Sequence, residues 1–220
     1  MLVIHNGSLR QYGQMPARRL QTDMLPYNGR DYTNPPPTKE PAMSRNYLVV
    51  IDMQHDFVDG ALGSAETQAI VDAVAARAAS FDGTVAFTLD THGADYSETQ
   101  EGRNLPVPHC IRGTHGWNLV PALEAVRAER DARVFEKPTF GSTGLAHWLA
   151  SEHRTAPIDS IELCGLCTDI CVVSNALLIK AALPEVPLTV NPALCAGVTP
   201  AAHEAALATM RSCQVHIVEG

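Results

Sequence analysis

The stretch that decides the fold of this 220-residue chain is Tyr47-Leu-Val-Val-Ile-Asp52, a continuous apolar run that ends in an acid. A second run of the same kind, Thr84-Val-Ala-Phe-Thr-Leu-Asp90, follows a segment with helical spacing at residues 65–80. Strands that lack polar alternation are typical of a parallel sheet that is covered on both faces. Two such strands joined by a helix predict a βαβ unit, because parallel neighbours need a long crossover.

The same alternation continues along the rest of the chain. Further strands are predicted at 133–136, 160–164, 187–190 and 214–218, and further helices at 117–129, 143–153, 168–182 and 200–211. Residues 91–115 predict a long polar loop. The fold class is therefore α/β, a three-layer α/β/α domain with a mostly parallel, Rossmann-like sheet of about six strands. Such sheets bind ligands at the carboxyl ends of their strands.

Composition and charge narrow the classes of function. The chain is 45% hydrophobic with a formal net charge of -8, so it has no electrostatic basis for gripping nucleic acid. No apolar run is long enough to cross a bilayer, and no membrane partner is expected. Six cysteines, three of them clustered at 164–171, predict free thiols rather than a disulfide framework, and hence a cytoplasmic location.

Residues 1–45 differ from the remainder of the chain. They hold six prolines, six basic residues and three acidic residues, and they show no sustained hydrophobic period. We expect a loosely ordered extension that the activity of the protein does not need, ahead of a folded domain at 46–220. The alternative is an arm that packs on a neighbouring subunit of a homo-oligomer.

Polar residues at the predicted strand ends carry the chemistry. Asp52 and Lys137 follow separate strands, and Cys171 lies in the first turn of a predicted helix, with Thr168 or Asp169 as the N-cap. The helix start is expected to lower the pKa of the Cys171 thiol, while Asp52 accepts its proton and Lys137 stabilises the anion. The alternative is that Cys171 is a small buried residue on an apolar helix.

A divalent metal site is predicted on the long loop. Asp90 and His92 lie two residues apart, and His109 lies on the same loop. One carboxylate and two imidazoles suit Zn²⁺, Mn²⁺ or Fe²⁺. The alternative is a loop that these side chains hold by ordinary hydrogen bonds. A thiolate site on the three cysteines at 164–171 is less favoured, because a second pair of closely spaced cysteines is absent.

Five motifs in order resemble a known family. Val49-Val-Ile-Asp-Met-Gln-His-Asp-Phe57, Lys137-Pro-Thr-Phe140 and Gly165-Leu-Cys-Thr-Asp-Ile-Cys-Val172 resemble the signatures of the isochorismatase-like cysteine hydrolases. Asp90-Thr-His92 and Pro108-His-Cys110 are similar to the metal loop of the nicotinamidase-related branch. The resemblance covers about residues 46–220.

The resemblance implies specific roles for these residues. Asp52, Lys137 and Cys171 correspond to the catalytic triad of the family. The backbone N–H groups of Cys167 and Cys171 correspond to its oxyanion hole, with a cis peptide bond between Leu166 and Cys167. The metal ligands correspond to Asp90, His92 and His109, and Phe57 corresponds to an aromatic residue of the substrate pocket.

The implied function is that of a cysteine amidohydrolase. It would cleave a small carboxamide, nicotinamide or a related amide, to a carboxylic acid and ammonia through a thioester. Pro106 and Thr91 stand where many nicotinamidases have aromatic residues, so we expect nicotinamide to be a poor or mediocre substrate. The alternatives are an isochorismatase-type hydrolase, which needs no metal, and a non-catalytic binding or redox-sensing protein.

Overall fold

The computed structural model describes residues 44–218, so the expectation for residues 1–45 lies outside the described part, apart from its last two positions. Within that part, six strands form one sheet. Their bounds are β1 Asn46–Ile51, β2 Thr84–Asp90, β3 Arg133–Lys137, β4 Ser160–Leu166, β5 Leu188–Ala196 and β6 His216–Ile217.

The sheet is parallel throughout, with the strand order β3-β2-β1-β4-β5-β6. The chain first moves outward from β1 to β3, then returns to the other side of β1 to form β4. The strand order therefore reverses between β1 and β4, and a crevice is expected at their carboxyl ends. This arrangement confirms the predicted α/β fold.

The helices cover both faces of the sheet. Their bounds are α1 His55–Val58, α2 Ala65–Ala69, α3 Val71–Ser80, α4 Gln100–Asn104, α5 Pro121–Glu129, α6 Thr143–Thr155, α7 Val173–Ala182 and α8 Pro200–Ser212. A 3₁₀ turn at Tyr96–Glu98 and a π-helical turn at Thr168–Val172 complete the elements. Between residues 44 and 218 there is no helix with the length and apolar character that a bilayer crossing requires.

The two faces of β1 explain its unbroken apolar sequence. Leu48 and Val50 belong to the core beneath α3 and α5, while Val49 and Ile51 belong to the core beneath α6, α7 and α8. All four side chains are fully buried. Each buried aliphatic side chain contributes roughly 1.5–3 kcal/mol relative to exposure, so the central strand stabilises both layers at once.

Several predicted boundaries are wrong for local reasons. The segment at 65–80 breaks into α2 and α3 at Ile70, and α5 begins at Pro121 rather than at residue 117. Proline suits the first helical position because it lacks the N–H group that would be unpaired there. The supposed polar loop at 91–115 contains α4, and β5 extends to Ala196 rather than ending at residue 190.

Gly165 permits the close approach of β4 to β1 beside the strand-order reversal. Its φ of +112° is unfavourable for residues that carry a Cβ, and a Cβ at this position would collide with the Ile51 carbonyl oxygen. Gly113 also has a positive φ, of +80°, but a Cβ there would meet no atom within 4 Å. Substitution at either glycine would strain the backbone, but only substitution at Gly165 would also cause a steric collision. Comparing the two positions therefore distinguishes the two effects.

We expect Gly165→Ala to lower the free energy of unfolding by about 3 kcal/mol or more, because strain and collision act together. The matched Gly113→Ala variant should lose only about 1 kcal/mol, the cost of the left-handed conformation. Urea denaturation of both variants measures the difference. Equal losses would contradict the role assigned to the contact between Gly165 and Ile51.

Candidate active site and metal centre

Four of the predicted site residues meet at the carboxyl edge of the sheet. Asp52 follows β1, while Asp90 and Lys137 end β2 and β3 and are register partners across those strands. Cys171 lies in the π-helical turn that follows β4. The structure thus places the residues of the predicted triad together, at the position where the strand order reverses.

The Lys137 ammonium group is the centre of this cluster. Its Nζ lies 2.7 Å from Asp52 Oδ2, 3.1 Å from Asp90 Oδ1 and 3.5 Å from Cys171 Sγ. The lysine side chain is only 1% exposed. Burial alone would lower the pKa of Lys137, but the negative charges of Asp52 and Asp90 outweigh that effect and raise it. The two carboxylates therefore favour the charged form of Lys137.

Asp52 is held in place as a buried carboxylate. Thr88 donates a hydrogen bond of 2.6 Å to its Oδ1, and Lys137 forms the ion pair with its Oδ2. Burial raises the pKa of Asp52, against the opposing charge of Lys137. A carboxylate with a raised pKa is suited to accept a proton.

Asp52 also has a backbone φ of 48°, which is uncommon for a residue that carries a Cβ. Strained backbone of this kind persists where the surrounding structure holds it, and it clusters at functional sites. Here the Asp52 N–H lies 3.3 Å from the Thr88 carbonyl, which anchors the turn to β2. The side chain is therefore directed by a short, tethered turn.

The environment of Cys171 differs from the sequence prediction in two ways. The N-cap is Cys167, which makes no capping hydrogen bond, and neither Thr168 nor Asp169 caps the helix. Thr168 instead pairs with His203, and Asp169 accepts a hydrogen bond from the Val198 N–H. Both side chains therefore make hydrogen bonds with α8 or the segment before it, and not with the N–H groups at the start of their own helix.

The second difference concerns the thiol itself. The expected lowering of the Cys171 pKa is wrong, because burial and the charge of Asp52 raise it, while Lys137 opposes them. The resting group is therefore a thiol with a base beside it.

The implied cis peptide bond is present between Leu166 and Cys167. Burial likewise raises the pKa of Cys167, to about 12.

The predicted metal ligands also converge, together with a residue that the sequence analysis missed. Asp90, His92, His109 and Glu101 offer ligand atoms that lie within 4.8 Å of one another. Among residues 44–218 they are the only such group of histidine, cysteine or acidic side chains. A cysteine metal cluster is therefore not formed there. The donor set, of carboxylate and imidazole groups, fits a divalent cation such as Zn²⁺, Mn²⁺ or Fe²⁺.

Local hydrogen bonds orient these ligands. The Nδ1–H of His109 donates to the Val107 carbonyl at 2.9 Å, which leaves Nε2 facing the other ligands. His92 Nε2 lies 2.9 Å from Asp90 Oδ2. Burial would raise the pKa of Asp90, but His109, His92 and Lys137 together hold it well below its usual range. Asp90 is thus a carboxylate shared by the metal cluster and Lys137.

The sequence analysis does not predict Glu101 as a metal ligand, because it interprets residues 91–115 as one polar loop. Its position depends on α4, whose N-cap Thr99 accepts a hydrogen bond from the Gly102 N–H. Glu101 Oε1 lies 3.7 Å from His92 Nε2 and 3.6 Å from His109 Nε2. The threonine is the signal that sequence reasoning could have used, since it is a favoured N-cap residue.

Gln54 is a second missed residue, and it clamps the backbone of Asp90. Its Oε1 accepts a hydrogen bond of 2.7 Å from the Asp90 N–H, and its Nε2 donates to the Asp90 and Trp117 carbonyls. The side chain is fully buried. Gln54 lies within the motif Val49–Phe57, but the motif alone does not identify its partners, because a glutamine between a strand and a short helix has many possible ones.

The cluster opens into a cavity of about 580 Å³. Cys171, Asp90 and His109 line it, and Phe57 does so as the resemblance implied. Phe57 also lies against His109, with ring centroids 5.5 Å apart. Pro106 is exposed and absent from the lining, where the adjacent Leu105 takes part.

Comparison with known proteins agrees with this geometry. A family model of the isochorismatase domain matches residues 46–220. A nicotinamidase/pyrazinamidase of Mycobacterium tuberculosis is 31% identical over 191 residues, which cover 78% of this chain and 97% of that protein. Because the model and the relative both span most of the chain, it belongs to the isochorismatase family.

Solved structures show which members of the family this chain resembles. A nicotinamidase from Bacillus subtilis superposes with a TM-score of 0.68 and 26% identity, covering 80% of this chain and 99% of that one. A pyrazinamidase of Pyrococcus horikoshii in complex with zinc gives a TM-score of 0.65 and 25% identity, covering 80% and 99%. The chain is thus a nicotinamidase-related hydrolase, of the class that acts on amides.

We expect Gln54→Leu to loosen the backbone at Asp90 and to lower the free energy of unfolding by about 2–4 kcal/mol, because it leaves buried polar groups unpaired. Gln68→Leu is the matched control, since Gln68 is an exposed glutamine on α2. Chemical denaturation measures both. A Gln54→Leu variant as stable as Gln68→Leu would contradict the clamp.

Proposed function

We propose that this protein is a cysteine amidohydrolase that cleaves a small, nicotinamide-like carboxamide to a carboxylic acid and ammonia. The single observation that carries the proposal is the position of Lys137 Nζ, 2.7 Å from Asp52 and 3.5 Å from Cys171. A nucleophile, a base and a fixed cation in one buried cluster are the groups that acyl transfer through a thioester requires. The nicotinamidase relatives support the same substrate class.

The reaction begins with proton transfer from the Cys171 thiol to Asp52. Because burial and the charge of Asp52 raise the pKa of the thiol, we propose that the proton moves to Asp52 as the sulfur attacks the amide carbon. Lys137 stabilises the negative charge as it moves between sulfur and carboxylate. The N–H groups of Cys167 and Cys171 are the proposed donors to the carbonyl oxygen as it gains charge.

The second half of the reaction releases the products. As the tetrahedral intermediate collapses, the C–N bond breaks and the proton held by Asp52 passes to the departing nitrogen, which leaves as ammonia. Water then attacks the thioester, and Asp52 takes one of its protons. The C–S bond breaks, the acid is released, and the proton returns from Asp52 to the Cys171 sulfur.

A divalent cation would be held by Asp90, His92, His109 and Glu101 at the side of the same cavity. When bound, it would supply a Lewis acid and a fixed point for orienting a substrate ring nitrogen or a water molecule. The proposed cation is Zn²⁺, Mn²⁺ or Fe²⁺, and the zinc complex of the Pyrococcus horikoshii relative supports zinc among these.

Further parts of the proposal concern the whole protein. We propose that residues 46–220 form the catalytic domain, which the matched range of the family model supports. The free thiols of all six cysteines support a reducing, cytoplasmic location. A homo-oligomer, and the absence of nucleic-acid and membrane partners, stay predictions. Isochorismatase-type hydrolysis is less favoured, because it has no use for the metal cluster.

We expect Cys171→Ala to lower kcat by at least about a thousandfold while the protein stays folded, because it removes the thiol that lies 3.5 Å from the Lys137 ammonium group. Release of ammonia from nicotinamide measures the rate, and circular dichroism reports the fold. Cys213→Ala, at an exposed cysteine, is the control and should retain activity. Near-normal turnover by Cys171→Ala, with loss in Cys167→Ala, would show that the nucleophile is misassigned.

We expect one divalent cation per chain, with an affinity that depends on Glu101. Glu101→Gln removes one proposed ligand, so it should weaken zinc binding by about tenfold or more. Competition with a chromophoric chelator measures the affinity. Glu98→Gln is the control, since Glu98 is an exposed acid of the preceding turn. Purified protein that contains no metal, and that binds none when zinc is added, would eliminate the site.

A further inference from the structure

The cavity above Cys171 continues outward to an apolar rim. The rim, defined here as Leu105, Phe140 and Val198, comes from three segments: the loop after α4, the loop after β3 and the loop after β5. The exposed fractions of these residues are 37%, 48% and 62%. Only one other large hydrophobic residue, Leu177, is as exposed in the part of the chain that the structure describes.

This distribution differs from scattered surface hydrophobics. Single exposed apolar residues are normal, but three from separate loops at one cavity mouth indicate a binding surface. We propose that the preferred substrate is a primary amide whose acyl group carries an apolar extension longer than a single ring, and that the rim binds this extension. The inference rests on the proposed function.

The direction of the cavity determines which part of the substrate reaches the rim. The carbonyl carbon must lie at Cys171, among the charged groups of the floor. The nitrogen of a primary amide leaves as ammonia and carries no extension. Only the acyl group can therefore follow the apolar wall of Phe57 and Ile170 outward, and the rim residues are where an elongated acyl group would end.

The size of the cavity agrees with this direction. Its volume of about 580 Å³ lies in the range of pockets for drug-sized ligands, and it includes both the space beside Asp90, Glu101 and His109 and the space beneath the rim. A small amide would leave the rim wet and the apolar wall partly exposed. Because each buried CH₂ contributes about 0.8 kcal/mol, an acyl chain that fills this space gains up to about fourfold per methylene.

Two rim residues make their hydrogen bonds through backbone atoms, so their side chains can be replaced while these bonds are kept. The Val198 N–H donates to Asp169, and the Phe140 carbonyl accepts from Asn175. Both bonds use backbone atoms, so replacement of the side chains keeps them. The rim can therefore be tested with Phe140→Ser and Val198→Ser, and Leu177→Ser is the matched control on α7.

The experiment measures kcat/KM of the full chain for acetamide, butanamide, hexanamide, octanamide and nicotinamide. We expect kcat/KM to rise about two- to fourfold per added CH₂ until the rim is passed, with the longest amides above nicotinamide. In Phe140→Ser and Val198→Ser, the ratio of octanamide to acetamide should fall at least about fivefold. Leu177→Ser should keep the wild-type ratio.

Three outcomes would overturn the inference. If nicotinamide led the panel and kcat/KM were flat along the aliphatic series, the amidohydrolase function would stand and the extended substrate would not. If rim variants and Leu177→Ser changed the ratio equally, the rim would not be the binding surface. Absence of ammonia release from every amide would instead overturn the proposed function itself, and the inference with it.

Discussion

The structure depends on one buried ammonium group held between two buried carboxylates. Lys137 is removed from water together with Asp52 and Asp90, which costs several kcal/mol per ion unless the geometry is well matched. The parallel sheet provides that match, because Asp90 and Lys137 are register partners and Asp52 follows the adjacent strand. The fold and the chemistry of the site are therefore connected through strand register rather than through flexible loops.

Asp90 extends this constraint from the nucleophile to the metal cluster. One of its oxygens lies beside Lys137 and the other beside His92, so a single carboxylate belongs to both groups. A change at either group alters the charge felt at the other. The Gln54 clamp holds the Asp90 backbone from a third side. The two parts of the site consequently behave as one electrostatic unit.

The remaining site residues are positioned by short local structures. The π-helical turn aligns Cys171 with the edge of the sheet, and α4 brings Glu101 to the two histidines. Asp56 accepts a hydrogen bond from the Cys110 N–H, which ties the helix that carries Phe57 to the loop that carries His109. The floor of the cavity is thereby rigid and charged, while its rim is exposed and apolar.

Sequence by itself determined the parallel α/β architecture, because strands that are apolar on both faces and alternate with helices are typical of a parallel sheet covered on both sides. It also brought Asp52, Lys137 and Cys171 to one edge, since parallel strands end together. It did not predict the positions of Glu101 and Gln54 in the site, and it predicted a lowered rather than a raised pKa for the Cys171 thiol. Those features depend on distances between residues remote in the chain and on the exclusion of water around them. Burial and electrostatic coupling exist only once the chain is packed, so only the tertiary structure decided them.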